Sequence, residues 1–68
     1  MVILRRLKDL REDSDLTQEK LAKHLNITQR AYAHYEKGDR EIPLEVLIKF
    51  ADYFDVSLDY ITERTNER

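Results

Sequence analysis

The stretch Gln18-Glu19-Lys20-Leu21-Ala22-Lys23-His24-Leu25-Asn26-Ile27-Thr28-Gln29-Arg30-Ala31-Tyr32-Ala33-His34-Tyr35-Glu36-Lys37 decides the fold of this 68-residue chain. Leu21, Leu25, Ile27, Tyr32 and Tyr35 supply the apolar positions that lock two short helices together. Ala22 is small where the second helix approaches the first. Thr17 precedes one helix and Thr28 the other, and a threonine oxygen can accept from the free N–H groups of a helix start. Glu19 is favourably placed in its first turn. Lys20 stands where a capping box would want Glu, so that refinement is absent. Asn26 falls at the turn, where a left-handed backbone is needed and Asn is among the few non-glycine residues that tolerate it. Gly38 supplies a left-handed stop to the third helix of the chain, the one that Thr28 begins. Such a unit holds one helix proud of a small body, a geometry suited to the major groove of DNA.

Outward from this stretch the helical period continues and no segment alternates like a strand. Ile3, Leu4, Leu7 and Leu10 predict a first helix that ends near Glu12, in the polar run Asp13-Ser14-Asp15. Asp39 to Ile42 reads as a loop, and Pro43 opens a fourth helix at a position where its missing N–H costs little. Leu44, Leu47, Phe50, Ala51 and Phe54 form the expected core face of that helix. Asp55-Val56 turns the chain, and Ser57 caps a short fifth helix with Leu58 and Ile61 inward. The expectation is an all-α, compact five-helix domain over residues 1–62, with a polar tail over 63–68 and fraying from Thr62.

A chain of this length forms one core, and burying only about 60% of its unfolded surface it depends on good helix packing or a partner. It has no cysteine, which removes disulfides and thiolate metal sites. Val2, Ile3 and Leu4 before Arg5 fall far short of a signal-peptide core or a membrane span, so a cytoplasmic protein is expected. The net charge is −2, unevenly spread. Residues 1–40 carry nine Lys/Arg against seven Asp/Glu, and residues 41–68 carry three against seven. A basic half joined to an acidic half fits one DNA-facing side and one side facing elsewhere. With so few cations, sequence-independent DNA binding is expected to be weak.

At 100° per residue from Gln29, the third helix divides into two faces. Gln29, Ala33, Lys37, Arg30 and His34 fall at roughly 0°, 40°, 80°, 100° and 140°, whereas Ala31, Tyr35 and Tyr32 fall at about 200°, 240° and 300°. The first set offers an amide, a guanidinium, an imidazole and an ammonium with no acid among them. Arg can donate two bonds to guanine and Gln can pair bidentately with adenine. Ala33 and the Thr28 methyl could meet a thymine methyl. Any exposed amphipathic helix turns polar residues outward; the spacing of the two-helix unit tips the reading toward DNA.

These residues resemble the lambda-repressor/Cro-like helix-turn-helix family of bacterial and phage regulators. The resemblance runs from Leu4 to Ile61. Its most specific pieces are Leu16-Thr17-Gln18-Glu19-Lys20-Leu21-Ala22, Leu25-Asn26-Ile27-Thr28, Tyr35-Glu36-Lys37-Gly38-Asp39-Arg40 and Val56-Ser57-Leu58-Asp59-Tyr60-Ile61. It is strongest to the short, single-domain members of low-GC Gram-positive bacteria and their phages. The resemblance implies base reading by Gln29, Arg30 and His34. It implies that Gln18 touches a phosphate and braces Gln29, with Thr28, Lys37 and Arg40 also near the DNA backbone. Arg11 and Glu36 match a structural ion pair between the first and third helices. Two departures stand out: Asn26 replaces the more frequent Gly, and Asp39 and Glu41 flank Arg40 in a loop that often carries several basic residues.

Fewer phosphate anchors make a two-fold dimer on two half-sites the expected form. Leu44, Ile48, Tyr53, Leu58 and Tyr60 are the dimer candidates, since one small core does not need them all. The expected function is a sequence-specific double-stranded-DNA-binding regulator, a repressor on a pseudo-palindromic operator. The alternative is an antitoxin or adaptor that binds a protein through helices four and five. No cofactor, metal, membrane or small-molecule ligand is implied. His24 and His34 lack the companions of a zinc site, Ser14 and Ser57 lack a base, and a single glycine makes no phosphate loop. Catalysis is not expected.

Overall fold

Apolar residues at helical spacing build five helices in the computed structural model, which describes residues 4–67: α1 (Arg5–Asp13), α2 (Gln18–His24), α3 (Gln29–Lys37), α4 (Leu44–Phe54) and α5 (Leu58–Ile61). Ile3, expected in α1, lies outside the described residues, as do Met1, Val2 and Arg68 at the outer ends of the expected domain and tail. Thr17, Thr28 and Ser57 cap α2, α3 and α5, their hydroxyls accepting from the N–H of Lys20, Ala31 and Tyr60 at 3.1, 3.0 and 3.0 Å. Asn26 takes φ 59° between α2 and α3 and Gly38 takes φ 87° after α3. With Asn26 turned left, the N–H of Ile27 reaches the Ala22 carbonyl at 3.0 Å and closes the end of α2.

The core draws on every helix: Leu7 and Leu10 from α1, Leu21 and Ala22 from α2, Tyr32 from α3, Leu47, Phe50 and Ala51 from α4, and Ile61 from α5, with Leu25 and Val56 from the turns. Each fully buried Leu, Ile or Phe contributes about 1.5–3 kcal/mol by leaving water. Helices of four to eleven residues have little stability alone, so this shared core holds them.

One expectation is corrected, at the start of α4. Pro43 is not the first residue of α4 but its N-cap, at φ −61° and ψ 146°, with its carbonyl accepting from the N–H of Val46 and Leu47. Leu44 therefore opens the helix at the rim of the domain, and it is 64% exposed where a core position was expected; Val46 is buried instead. The terminal segment adds contacts to α1. Arg6 donates to the carbonyls of Tyr60 and Thr65, both at 2.7 Å, and to Oδ1 of Asn66 at 2.9 Å. Its guanidinium lies 4.1 Å from the Tyr60 ring centroid, and Arg5 pairs with Glu63 at 2.7 Å. The polar tail thus makes contacts with α1 through Glu63, Thr65 and Asn66, mostly to one guanidinium, which hydrophobic periodicity does not signal.

Arg11 and Glu36 form the expected pair between α1 and α3. Arg11 Nε donates to Glu36 Oε2 at 2.9 Å and Nη2 to Oε1 at 3.0 Å, while Nη1 reaches the Leu16 carbonyl at 2.7 Å. Gln18 Nε2 adds a bond to Glu36 Oε1 at 3.2 Å. The two side chains are 13% and 6% exposed, so the pair is nearly dry. Burial opposes ionisation of Glu36, yet the bonds from Arg11 and Gln18 outweigh it and hold its carboxyl below the usual range. The Tyr32 hydroxyl is buried beside this carboxylate but outside hydrogen-bonding geometry, and burial pushes that phenol well above its usual range.

Removing one partner of such a pair strands the other. Glu36→Ala is expected to destabilise by about 2–3 kcal/mol, less than a wholly buried pair because Arg11 keeps the Leu16 carbonyl. That corresponds to a melting temperature about 10–20 °C lower. Arg30→Ala, on the exposed face, should leave melting nearly unmoved, and equal shifts in thermal unfolding would contradict this division. The depressed Glu36 carboxyl also links to pH. Its ionisation stabilises the fold above its ordinary value of 4.5 and ceases to do so as pH falls through its lower native value. Glu36→Gln should therefore lose less stability than the parent on acidification, compared by urea midpoints at neutral and acid pH; parallel losses would remove Glu36 from the acid response.

Candidate nucleic-acid interface

Capping, packing and one ion pair together aim α3. Tyr32 is fully buried and Tyr35 half-buried against the core, so the opposite side of the helix faces outward. Gln29, Arg30 and Lys37 are exposed there, with Ala33 and His34 half-buried between them. Neither Gln29 nor Arg30 spends its side chain on a hydrogen bond to another described residue. Thr28 Oγ1 is occupied as acceptor by the Ala31 N–H, which leaves its hydroxyl proton to donate outward. Beside it the N–H groups of Gln29 and Arg30 open the helix, where the backbone dipole favours an anion.

The remaining expected site residues divide. Arg40 is exposed in the loop after α3. Gln18 stands at the start of α2, but its amide N–H bonds Glu36 and not Gln29. Lys37 is exposed and lies 3.8 Å from Oδ2 of Asp39. His34 directs Nδ1 to the other oxygen of Asp39, Oδ1, at 2.9 Å. The bond from His34, aided by the nearby charge of Lys37, holds the Asp39 carboxyl below its usual range. In the sequence Asp39 is only an acid beside Arg40, and its contact with His34 is not apparent from local pattern. The contact depends on Gly38 between them, whose left-handed turn folds residue 39 back along the last turn of the helix.

The dimer candidates do not form one patch. Leu58 and Tyr60 pack against the core, and Tyr60 lies beneath Arg6. Leu44 and Ile48, 64% and 42% exposed, stand four residues apart on one stripe of α4. Tyr53 falls about 140° from Ile48 around the helix. Its ring stacks on His24 of α2, with centroids 5.0 Å apart, and meets Phe54 edge-on. Among the described residues no helix is long and apolar enough to cross a membrane.

A family model described as Helix-turn-helix matches residues 7–61 of the chain. The uncharacterized HTH-type transcriptional regulator YqaE of Bacillus subtilis is 43% identical over 63 residues, covering 91% of this chain and 54% of that protein. The cryptic phage CTXphi transcriptional repressor RstR of Vibrio cholerae is 34% identical over 53 residues, 78% of this chain and 48% of that protein. The chain thus spans about half the length of these relatives. Among solved structures, a transcriptional regulator from Listeria innocua superposes with a TM-score of 0.79 at 31% identity, covering 91% of this chain and 58% of that one. The P22 c2 repressor in complex with a synthetic operator superposes with a TM-score of 0.80 at 21% identity, covering 90% and 94% of the two chains, a likeness of fold. Matches that span all five helices, on a fold shared at this level, show that the chain belongs to the helix-turn-helix family, in its lambda-repressor/Cro-like form.

Proposed function

We propose that the protein is a sequence-specific double-stranded-DNA-binding transcriptional regulator, a repressor that binds a pseudo-palindromic operator as a homodimer in the bacterial cytoplasm. The observation that carries this reading is the outward face of α3, where Gln29 and Arg30 are exposed and uncommitted while the opposite face is fixed in the core. Arg30 suits a guanine edge and Gln29 an adenine edge, each pair giving about 1–3 kcal/mol of discrimination. The Thr28 hydroxyl, Lys37 and Arg40 would set the register at phosphates. Gln18, bonded to Glu36 through one amide hydrogen, keeps its carbonyl for Gln29 and its second hydrogen for a phosphate. Relatives named as transcriptional regulators and as a phage repressor support the same reading, as does a neighbour of the same fold seated on an operator. Occlusion of polymerase is the simplest mechanism for such a domain.

Leu44 and Ile48 are the apolar stripe left for a second copy. Two-fold pairing would present two reading helices to half-sites about 34–36 Å apart. The same stripe, set in the acidic half of the chain, is what a protein-binding adaptor would use instead.

Selection of purified protein on random duplex DNA at low salt should enrich a two-fold-symmetric consensus; no enrichment would overturn the DNA reading and favour the adaptor. On the selected site, Arg30→Ala should weaken binding about five- to 150-fold, the equivalent of about 1–3 kcal/mol. Binding to unrelated duplex should change far less. Ile48→Asp should yield monomer in sedimentation and abolish simultaneous occupancy of both half-sites while leaving the fold intact by circular dichroism. Unchanged assembly would move the interface off α4.

A further inference from the structure

At the end of α3 an acid is built into a face that is to meet an anionic polymer, which needs a reason. Asp39 is exposed, and alone it would repel phosphate. It is not alone. Its Oδ1 lies 2.9 Å from His34 Nδ1 and its Oδ2 3.8 Å from Lys37 Nζ, so both carboxylate oxygens are engaged from one helical turn. The arrangement depends on Gly38, buried and at φ 87°, whose N–H bonds the His34 carbonyl at 3.0 Å. That reversal sets residue 39 back against residue 34.

The chemistry of imidazole gives this contact a consequence. A carboxylate only accepts, so the nitrogen facing it carries the proton. In neutral imidazole the other nitrogen is then an acceptor, since the hydrogen bond at one ring position fixes the role of the other. We infer that Asp39 is a positioning residue for base recognition: it holds His34 in the Nδ1–H form and presents Nε2 to the major groove as an acceptor for an exocyclic amino group, of cytosine or adenine. Those amino groups are the donors that C and A display in the major groove, while G and T offer acceptors at the corresponding positions. Without Asp39 the same imidazole would be free to present an N–H and prefer the opposite bases. Lys37 offsets the charge of Asp39, so the acid sits close to phosphate without dominating the face. The inference rests on the DNA reading above and assigns to Asp39 a role in its specificity.

Two measurements test it. The first needs no DNA: long-range nitrogen–proton NMR of the imidazoles, above their titration range, with His24 as internal comparison. His34 should appear as the Nδ1–H tautomer, and Asp39→Ala should shift it toward the Nε2–H form. An Nε2–H tautomer in the parent, or a tautomer indifferent to Asp39→Ala, would overturn the proposal. The second is selection on random duplex with the parent, His34→Ala and Asp39→Ala, each checked for an unchanged melting temperature. Both variants should lose preference for C or A at the same single position of each half-site and keep the others. Asp39→Ala should also bind unrelated duplex more tightly, having lost an anion near the phosphates. If Asp39→Ala raises binding to all sequences while every base preference stays, the acid is only a charge and the inference fails. If the parent enriches no sequence, the DNA reading fails and the base-recognition role falls with it, whereas the tautomer result stands or falls separately.

Discussion

Three helices meet at Glu36, and its partner Arg11 ties in the segment between two of them. Arg11 reaches it from α1, Gln18 from the start of α2, and Arg11 in turn holds the Leu16 carbonyl in the segment between them. Glu36 itself belongs to the last turn of α3. Apolar packing keeps the helices together and favours particular crossings through interlocking side chains, to which a directional bond adds. A two-pronged guanidinium–carboxylate bond has direction at both ends. Dehydrating two charges offsets much of their attraction, so the pair does more to define one arrangement than to add stability. The arrangement it defines is the angle at which α3 leaves the body, on which every proposed DNA contact depends.

The helices are short, so their ends count heavily. Each of the five stops at a left-handed residue: Asp15, Asn26, Gly38, Asp55 and Glu63. After four of them the next N–H reaches back across the stop, as Leu16 to Arg11, Ile27 to Ala22, Val56 to Ala51 and Arg64 to Asp59. Only one of the five is glycine, and Asp and Asn tolerate this backbone better than most. Glu63 lacks that ease, and it is the one whose carboxylate is held by Arg5. The pattern shows a domain shaped as much by how its helices end as by what they bury.

Much of this was legible in the residues. Thr17, Thr28 and Ser57 announced the helix starts, Asn26 and Gly38 the turns, and the spacing of Leu21, Leu25 and Tyr32 the α2–α3 pair. Arg11 and Glu36 came from resemblance, since nothing in local pattern joins residues 25 apart. What escaped had physical causes. Leu44 fits the apolar period of α4, yet period says nothing of whether a neighbour lies above the first turn. The clasp of Arg6 uses backbone carbonyls, which every residue has and no side-chain pattern records. His34 and Asp39 were both noticed, but their contact depends on a reversal at Gly38 that a helical wheel does not draw.

The clasp of Arg6 bears on how the chain reaches its final shape. Its partners lie 54 to 60 positions downstream, among the last residues described. During synthesis, α1 emerges first and waits seconds, at about 5–20 residues per second, before those partners exist. The α2–α3 unit can form by local contacts in the interval, while the closing of the two ends across the body must come last. Helix α3 is thus placed early by neighbours in sequence, whereas the longest loop in the domain closes last, when Ile61 joins Leu7 and Leu10 in the core and Arg5 and Arg6 take up their distant partners.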